Sequence, residues 1–246
     1  MAIAAVQSYW RASRAPRYSY TFALPLLALY ELLAAILPAA ETHGVRNGAD
    51  VILKSVFYAA LGAWGPLAFG ALLVAIFLWG AWKDARASGQ PLVASIFALM
   101  LGESIALALV FGVVVGLITA RLLGTLHMLA IAPMQQLDTS TKLMVSLGAG
   151  LYEELLFRVI LVSGLATFGR VVCGMSPRIA GGFAVVLGAI IFSAFHYIGA
   201  YGDVFTIQSF TFRLIAGLFF SALYLLRGFG IVAWTHALYD VFLIFA

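Results

Sequence analysis

Residues 92–118 have the sequence LVASIFALMLGESIALALVFGVVVGLI, and Glu103 is the only charged residue in this run. An α-helix needs roughly 20 mostly apolar residues to cross the hydrocarbon core of a bilayer. The run is long enough and apolar enough to do so. Its sequence therefore predicts a transmembrane helix.

The composition of the whole chain agrees with this interpretation. Of 246 residues, 64% are hydrophobic and only 10% are charged, and the mean hydropathy is +1.06. An ordinary soluble domain has about 25% charged residues. A soluble globule is excluded, and no segment is polar enough to form a separate soluble domain. We therefore predict a single integral membrane domain over residues 1–246.

Six other apolar runs have a similar length, so we predict an all-α, polytopic membrane helix bundle of about seven transmembrane helices. The predicted spans are residues 18–39, 61–82, 92–118, 143–169, 180–198, 204–226 and 228–246. Two shorter apolar stretches, residues 51–60 and 122–132, are predicted to be re-entrant or to lie along the interface.

The basic residues indicate the topology. Lys and Arg total 14 against 10 acidic residues, for a net charge of +4. They stand singly between apolar runs, which argues against nucleic-acid binding. With the N-terminus inside, cytoplasmic segments hold Arg11, Arg14, Arg17, Lys83, Arg86, Arg170, Arg178 and Arg227. Outer segments hold only Arg46, Lys54, Arg121 and Lys142. The positive-inside rule therefore predicts a cytoplasmic N-terminus.

Two further features bear on the location of the protein. The single cysteine, Cys173, cannot form an intramolecular disulfide and matches no zinc or redox spacing. Abundant Ala, Gly and Leu with short loops is typical of a prokaryotic membrane protein, so we expect a plasma (inner) membrane location.

Ionisable side chains inside the predicted spans are costly, and each is therefore a candidate for function. They are Glu31, Glu103, Glu153, Glu154, Arg158, His196, Arg213, His236 and Asp240.

Two of these candidates can neutralise each other. Glu154 and Arg158 are four residues apart on one predicted helix, with the acid first. Glu153 is turned about 100° away, so no residue of its own helix neutralises it. Such a carboxylate is suited to take up and return protons. The alternative is a structural Glu154–Arg158 pair, with Glu153 facing a water pocket.

Each histidine within a predicted span shares a helical face with a residue four positions away. Phe192 precedes His196, and Asp240 follows His236. One histidine near a helix end is commonly an interfacial residue. Two histidines and an unpaired glutamate in one small bundle favour a functional site.

The ordered motifs EExxxR, FxxxH and HxxxD resemble those of the CPBP family of intramembrane proteases, which includes the type II CAAX prenyl proteases. The residues that carry them are Glu153, Glu154, Arg158, Phe192, His196, His236 and Asp240. The resemblance implies that residues 143–246 form the catalytic region and that the helices at 18–118 precede it.

The resemblance also implies a chemistry, namely peptide-bond hydrolysis by a water that Glu153 and His196 polarise, without an acyl-enzyme. Glu154 and Arg158 would hold the site together, Phe192 would pack against it, and His236 with its partner would stabilise the oxyanion. The substrate would be a membrane-embedded or lipid-anchored protein or peptide. A prenylated tail, a bacteriocin or pheromone precursor, and a C-terminal sorting tail all remain open.

The third motif departs from many relatives, which have Asn in place of Asp240. An amide can donate to an oxyanion, whereas an ionised carboxylate only accepts. Asp240 must then be protonated or serve another purpose. We expect it to accept from a ring N–H of His236 and to fix the tautomer of that histidine.

Metal dependence remains open at this point. Glu153, His196 and His236 would also suit a zinc ion with an open position for water. No HExxH motif is present, and the resemblance favours chemistry without metal or cofactor.

Two other classes of function compete with a protease. A non-catalytic scaffold or partner-binding protein could use the same polar groups as an interhelical network. A proton-coupled transporter could use them as a relay, although the sequence has no inverted repeat of the expected kind.

Overall fold

The computed structural model describes residues 2–38, 44–124, 137–199 and 202–245, and every regular element within these ranges is helical. The α-helices are α1 (Ala2–Arg14), α2 (Pro16–Ile36), α3 (Gly48–Leu61), α4 (Gly65–Ser88), α5 (Ala94–Leu123), α6 (Thr139–Gly148), α7 (Ser163–Val171), α8 (Pro177–Phe195), α9 (Ile207–Arg227) and α10 (Phe229–Phe245). The predicted all-α membrane bundle is confirmed.

Five helical segments of the described chain are long and apolar enough to cross a membrane, fewer than the seven spans predicted. They are Pro16–Ile36, Gly48–Ser88, Ala94–Leu123, Pro177–Phe195 and Ile207–Arg227. Two predicted spans account for the difference. Helix α10 is apolar but has only 17 residues. The run at 143–169 contains π-helical turns at the candidate site, so it is not one continuous α-helix.

The short apolar stretch at 51–60 belongs to α3, which a 3₁₀ turn at Gly62–Trp64 joins to α4. At 14 residues, α3 is about 21 Å long, too short for a core of about 30 Å. Ala49 and Asp50 in its first turn are buried, and near its end the Phe57 ring packs 5.1 Å from the Phe69 ring of α4. This arrangement favours the re-entrant alternative. The other short stretch, 122–132, lies outside the described residues beyond Gly124.

The surface of the bundle is apolar, and polar side chains are collected inside it. On α5, Leu109, Val113 and Leu117 are each more than half exposed, as expected for a helix that faces lipid. Glu154 and Arg158 are among the most deeply buried side chains. The interior of this bundle therefore holds groups that an ordinary membrane helix would exclude.

Candidate active site

The helix that carries both glutamates changes its winding at the site. Helix α6 continues through π-helical turns at Ala149–Glu153 and Leu155–Val162 into α7. Such turns lack the regular i→i−4 ladder and occur frequently at functional sites. They rotate the motif side chains relative to an ideal helix, which sequence spacing alone does not predict.

Two glycines let neighbouring helices approach this winding change closely. A Cβ at Gly150 would lie 2.3 Å from the carbonyl oxygen of Ala233 on α10. A Cβ at Gly148 would lie 2.5 Å from the ring of Tyr30 on α2. Small residues of this kind allow close helix packing in membranes. Here Gly150 brings α10, and with it His236, against the glutamates, and Gly148 does the same for α2.

The predicted pair between Glu154 and Arg158 is present. The Arg158 Nε atom lies 3.2 Å from Glu154 Oε2, and both side chains are fully buried. The guanidinium carbon lies 4.3 Å from the centroid of the Phe192 ring, so the second motif packs directly on the first. Charge and this ring face together hold the arginine in place.

Glu154 also contacts the third motif. Its Oε1 atom lies 2.7 Å from His236 Nδ1. Because the carboxylate is paired with Arg158, it accepts the hydrogen bond and Nδ1 carries the proton. The imidazole also stacks on the Phe220 ring, with centroids 4.4 Å apart. These contacts fix the orientation of His236.

Asp240 does not have the contact that we expected. Its Oδ2 atom lies 3.8 Å from His236 Nε2, too far for a hydrogen bond. The prediction that Asp240 accepts from the ring and fixes the tautomer is wrong, because Glu154 fills that position. Spacing on one helix places Asp240 on the same face as His236. The hydrogen bond of the ring, however, is made to Glu154 on another helix, at Nδ1.

Glu153 faces His196 across a short gap. Glu153 Oε2 lies 3.9 Å from His196 Nε2 and has no hydrogen-bond partner among the described residues. His196 caps the C-terminus of α8, and its Nδ1 atom lies 2.8 Å from the carbonyl oxygen of Phe192. A carbonyl only accepts, so Nδ1 is protonated and the neutral ring presents the lone pair of Nε2 to Glu153.

A separation of 3.9 Å between Glu153 Oε2 and His196 Nε2 is one that a single water molecule can bridge. A water at hydrogen-bond distance from both Glu153 Oε2 and His196 Nε2 would see them at an angle of roughly 90°. It could donate to both atoms at once, which leaves a lone pair of its oxygen free.

The remaining ionisable candidates are paired in other places. Glu103 is paired with Arg227 at 2.6 Å, and Arg213 is paired with Asp203. Glu31 accepts from Lys54 at 2.7 Å. The six predicted site residues, by contrast, form one connected group.

Sequence reasoning missed Asn47, whose Nδ2 atom donates to Glu153 Oε1 at 2.9 Å. The signal for it was the polar stretch 46–50, in which an asparagine stands just before an apolar run and is suited to cap a helix. Nothing in the spacing connects that cap with a glutamate 106 residues away.

The zinc alternative needs Glu153, His196 and His236 as ligands. Among the described residues, no three or more His, Cys, Asp and Glu side chains are grouped as ligands for a metal ion. His236 directs Nδ1 to Glu154, which leaves Nε2 as its free ring nitrogen.

Comparison with known proteins gives one match. Residues 136–242 match the family model described as type II CAAX prenyl endopeptidase, Rce1-like. No curated protein matches the chain, and no solved structure does. The matched range includes all six predicted site residues but not Asn47. Residues 136–242 of this multi-pass membrane protein are therefore similar to the Rce1-like type II CAAX prenyl endopeptidases.

Proposed function

We propose that the chain is an intramembrane endopeptidase that hydrolyses a peptide bond of a membrane-embedded or lipid-anchored protein. In this proposal a water held between Glu153 and His196 is the nucleophile. The observation that carries it is the buried Glu153 Oε2 atom, which lacks a hydrogen-bond partner among the described residues and faces the lone pair of His196 Nε2 at 3.9 Å.

Glu153 accounts for the proton transfers that the reaction requires. The water oxygen bonds to the scissile carbonyl carbon while Glu153 takes one proton from that water. The π electrons of the carbonyl move onto the carbonyl oxygen. His196 accepts a hydrogen bond from the second water hydrogen, which orients the molecule, and that hydrogen stays on the attacking oxygen. When the tetrahedral intermediate collapses, the C–N bond breaks and Glu153 returns its proton to the leaving amine. No covalent enzyme intermediate forms.

His236 is the proposed donor to the oxyanion. Since Nδ1–H is bound to Glu154, donation must come from Nε2, and His236 acts as the imidazolium. Arg158 neutralises Glu154, so the ionised carboxylate of Asp240, at 3.8 Å, would balance the imidazolium charge. This gives Asp240 an electrostatic purpose in place of the orienting one.

The proposed mechanism uses no metal or cofactor. The three motifs supply a base, a water-orienting group and an oxyanion donor from side chains alone. A zinc ion on Glu153, His196 and His236 is the competing chemistry, in which the metal would polarise the same water.

Replacement of Glu153 by Gln tests the proposal, because Gln is nearly isosteric and removes only the base. We expect the purified variant in detergent to cleave a farnesylated peptide with a CAAX-type C-terminus about 10²- to 10⁴-fold more slowly than wild type, with unchanged Tm. Cleavage is followed by mass spectrometry. Wild-type turnover in Glu153→Gln would overturn the proposal.

Metal analysis of the same preparations distinguishes the two chemistries. One bound zinc per chain, lost together with activity in both His196→Ala and His236→Ala, would assign a metalloprotease instead. A wild-type protein that cleaves no membrane-anchored substrate would support the scaffold alternative.

A further inference from the structure

We infer that Asn47 is a positioning residue for Glu153, supplied to the site by the N-terminal half of the chain. The inference rests on the proposed function, since it concerns how Glu153 is aimed. Asn47 lies outside the residues that match the family model and is 3% exposed.

The amide of Asn47 has two fixed tasks. Its Oδ1 atom accepts from the backbone N–H of Ala49 at 2.9 Å and of Asp50 at 3.4 Å, which caps α3. Because the oxygen is engaged by backbone donors, the orientation of the amide is set and Nδ2 must point away from the helix. There it donates to Glu153 Oε1 at 2.9 Å. With Oε1 held, Oε2 is left facing His196.

The buried hydroxyl of Tyr30 is hydrogen-bonded to the backbone of Asn47. The Tyr30 OH accepts from the Asn47 backbone N–H at 3.3 Å and donates to Asp50 Oδ2 at 2.7 Å. Lys54 neutralises Asp50 at 2.8 Å. Tyr30 and Asp50 are fully buried, and hydrogen bonds in such an interior are electrostatically stronger than in water.

Tyr152, the residue before Glu153, is also hydrogen-bonded to this part of the bundle. The Tyr152 OH donates to Glu31 Oε1, and Glu31 also accepts from Lys54. Consecutive residues of the glutamate helix are therefore bound to α2 and α3. This double attachment limits rotation of the helix at Glu153.

The start of α3 also touches the other side of the gap. A Cβ at Gly48 would lie 3.2 Å from the ring of Phe195, the residue before His196. The Asn47–Gly48 corner thus contacts both elements that hold the water site, and α3 acts as a spacer between them.

Two substitutions separate the positioning task from the capping task. Ser and Asp both cap helices well, but Ser is too short to reach Glu153, and Asp replaces the donor with a carboxylate. We expect Asn47→Ser to lower kcat about 10- to 100-fold with little change in KM and with a Tm near wild type. Asp138→Ala is the matched control, because it removes the cap of α6 far from the gap, where Asp138 accepts from Thr141 N at 3.0 Å.

Asn47→Asp adds a pH readout, which tests whether the side chain at position 47 lies beside Glu153. A carboxylate beside Glu153 makes ionisation of Glu153 harder, so the acid limb of kcat/KM should move to higher pH. Among the described residues, Arg158, His196, His236 and Asp240 interact electrostatically with Glu153, and all are unchanged in the variant.

The outcomes distinguish this inference from the proposed function. Wild-type kcat and pH profile in both variants would overturn it, as would a loss in Asn47→Ser no larger than that in Asp138→Ala. If Asn47→Ser fails to fold, the kcat/KM pH profile of Asn47→Asp decides. An unshifted acid limb overturns the inference about Asn47, and a limb shifted to higher pH supports it. Full activity in Glu153→Gln would instead show that the proposed function has failed.

Discussion

At the scale of single residues, Glu154 has a more central position than its motif suggests. It accepts from His236 through one oxygen and pairs with Arg158 through the other. Asp240 lies 3.8 Å from the same histidine and makes no hydrogen bond to it. The two carboxylates therefore differ, since one is hydrogen-bonded to the ring and the other is not.

Paired substitutions should expose this difference. Glu154→Gln leaves Arg158 buried without its counter-ion and weakens the acceptor for Nδ1–H, so we expect a loss of Tm and a fall in kcat of more than about 100-fold. Asp240→Asn keeps the shape and supplies an amide, so we expect an unchanged Tm and a fall in kcat of less than about 10-fold. Thermal melts and steady-state kinetics in detergent measure both. A larger loss in Asp240→Asn would restore the orienting role to Asp240.

At the scale of elements, the site depends on how closely α10 approaches the helix with the glutamates. Gly150 allows that approach, because a Cβ there would meet the backbone of Ala233 rather than a flexible side chain. Backbone cannot move aside without moving α10. The contact between Gly150 and Ala233, three residues before His236 on α10, therefore helps to set the position of His236.

We expect Gly150→Ala to destabilise the protein by about 1–3 kcal/mol and to lower kcat by at least about 10-fold, because α10 must shift. Gly164→Ala is the matched control on the same helix, since a Cβ there meets nothing within 4 Å. The control should keep wild-type activity and equal or raise Tm, as Ala favours helix over Gly. Equal behaviour of the two variants in melts and kinetics would refute the packing argument.

At the scale of the whole molecule, the remaining prediction concerns orientation in the membrane. The excess of Arg and Lys predicts that the connection between α7 and α8, flanked by Arg170 and Arg178, is cytoplasmic. Cys173 is exposed in this connection and is the only cysteine in the chain. The protein therefore contains its own reporter of topology.

A membrane-impermeant maleimide should label Cys173 only after the membrane of intact cells is permeabilised. Cys173→Ser provides the background control. Equal labelling of Cys173 before and after permeabilisation would reverse the predicted topology.

The sequence by itself determined the membrane environment, the all-helical class and the six side chains of the candidate site. Apolar run length fixes helices in lipid because backbone groups must be satisfied within each helix. Charged residues inside such runs are rare enough to be candidates, and the motif resemblance selected six of the nine. The pairing of Glu154 with Arg158 followed from spacing on one helix, where neighbours are four residues apart.

Only the tertiary structure decided which helices touch, and this changed three conclusions. Glu154 rather than Asp240 binds His236, Asn47 reaches Glu153, and the span at 143–169 contains π-helical turns. The contact between Asn47 and Glu153 joins residues 106 positions apart, and periodicity carries no information about such pairs. Sequence spacing fixes partners within one helix, whereas partners across helices depend on how closely Gly148 and Gly150 let their neighbours approach.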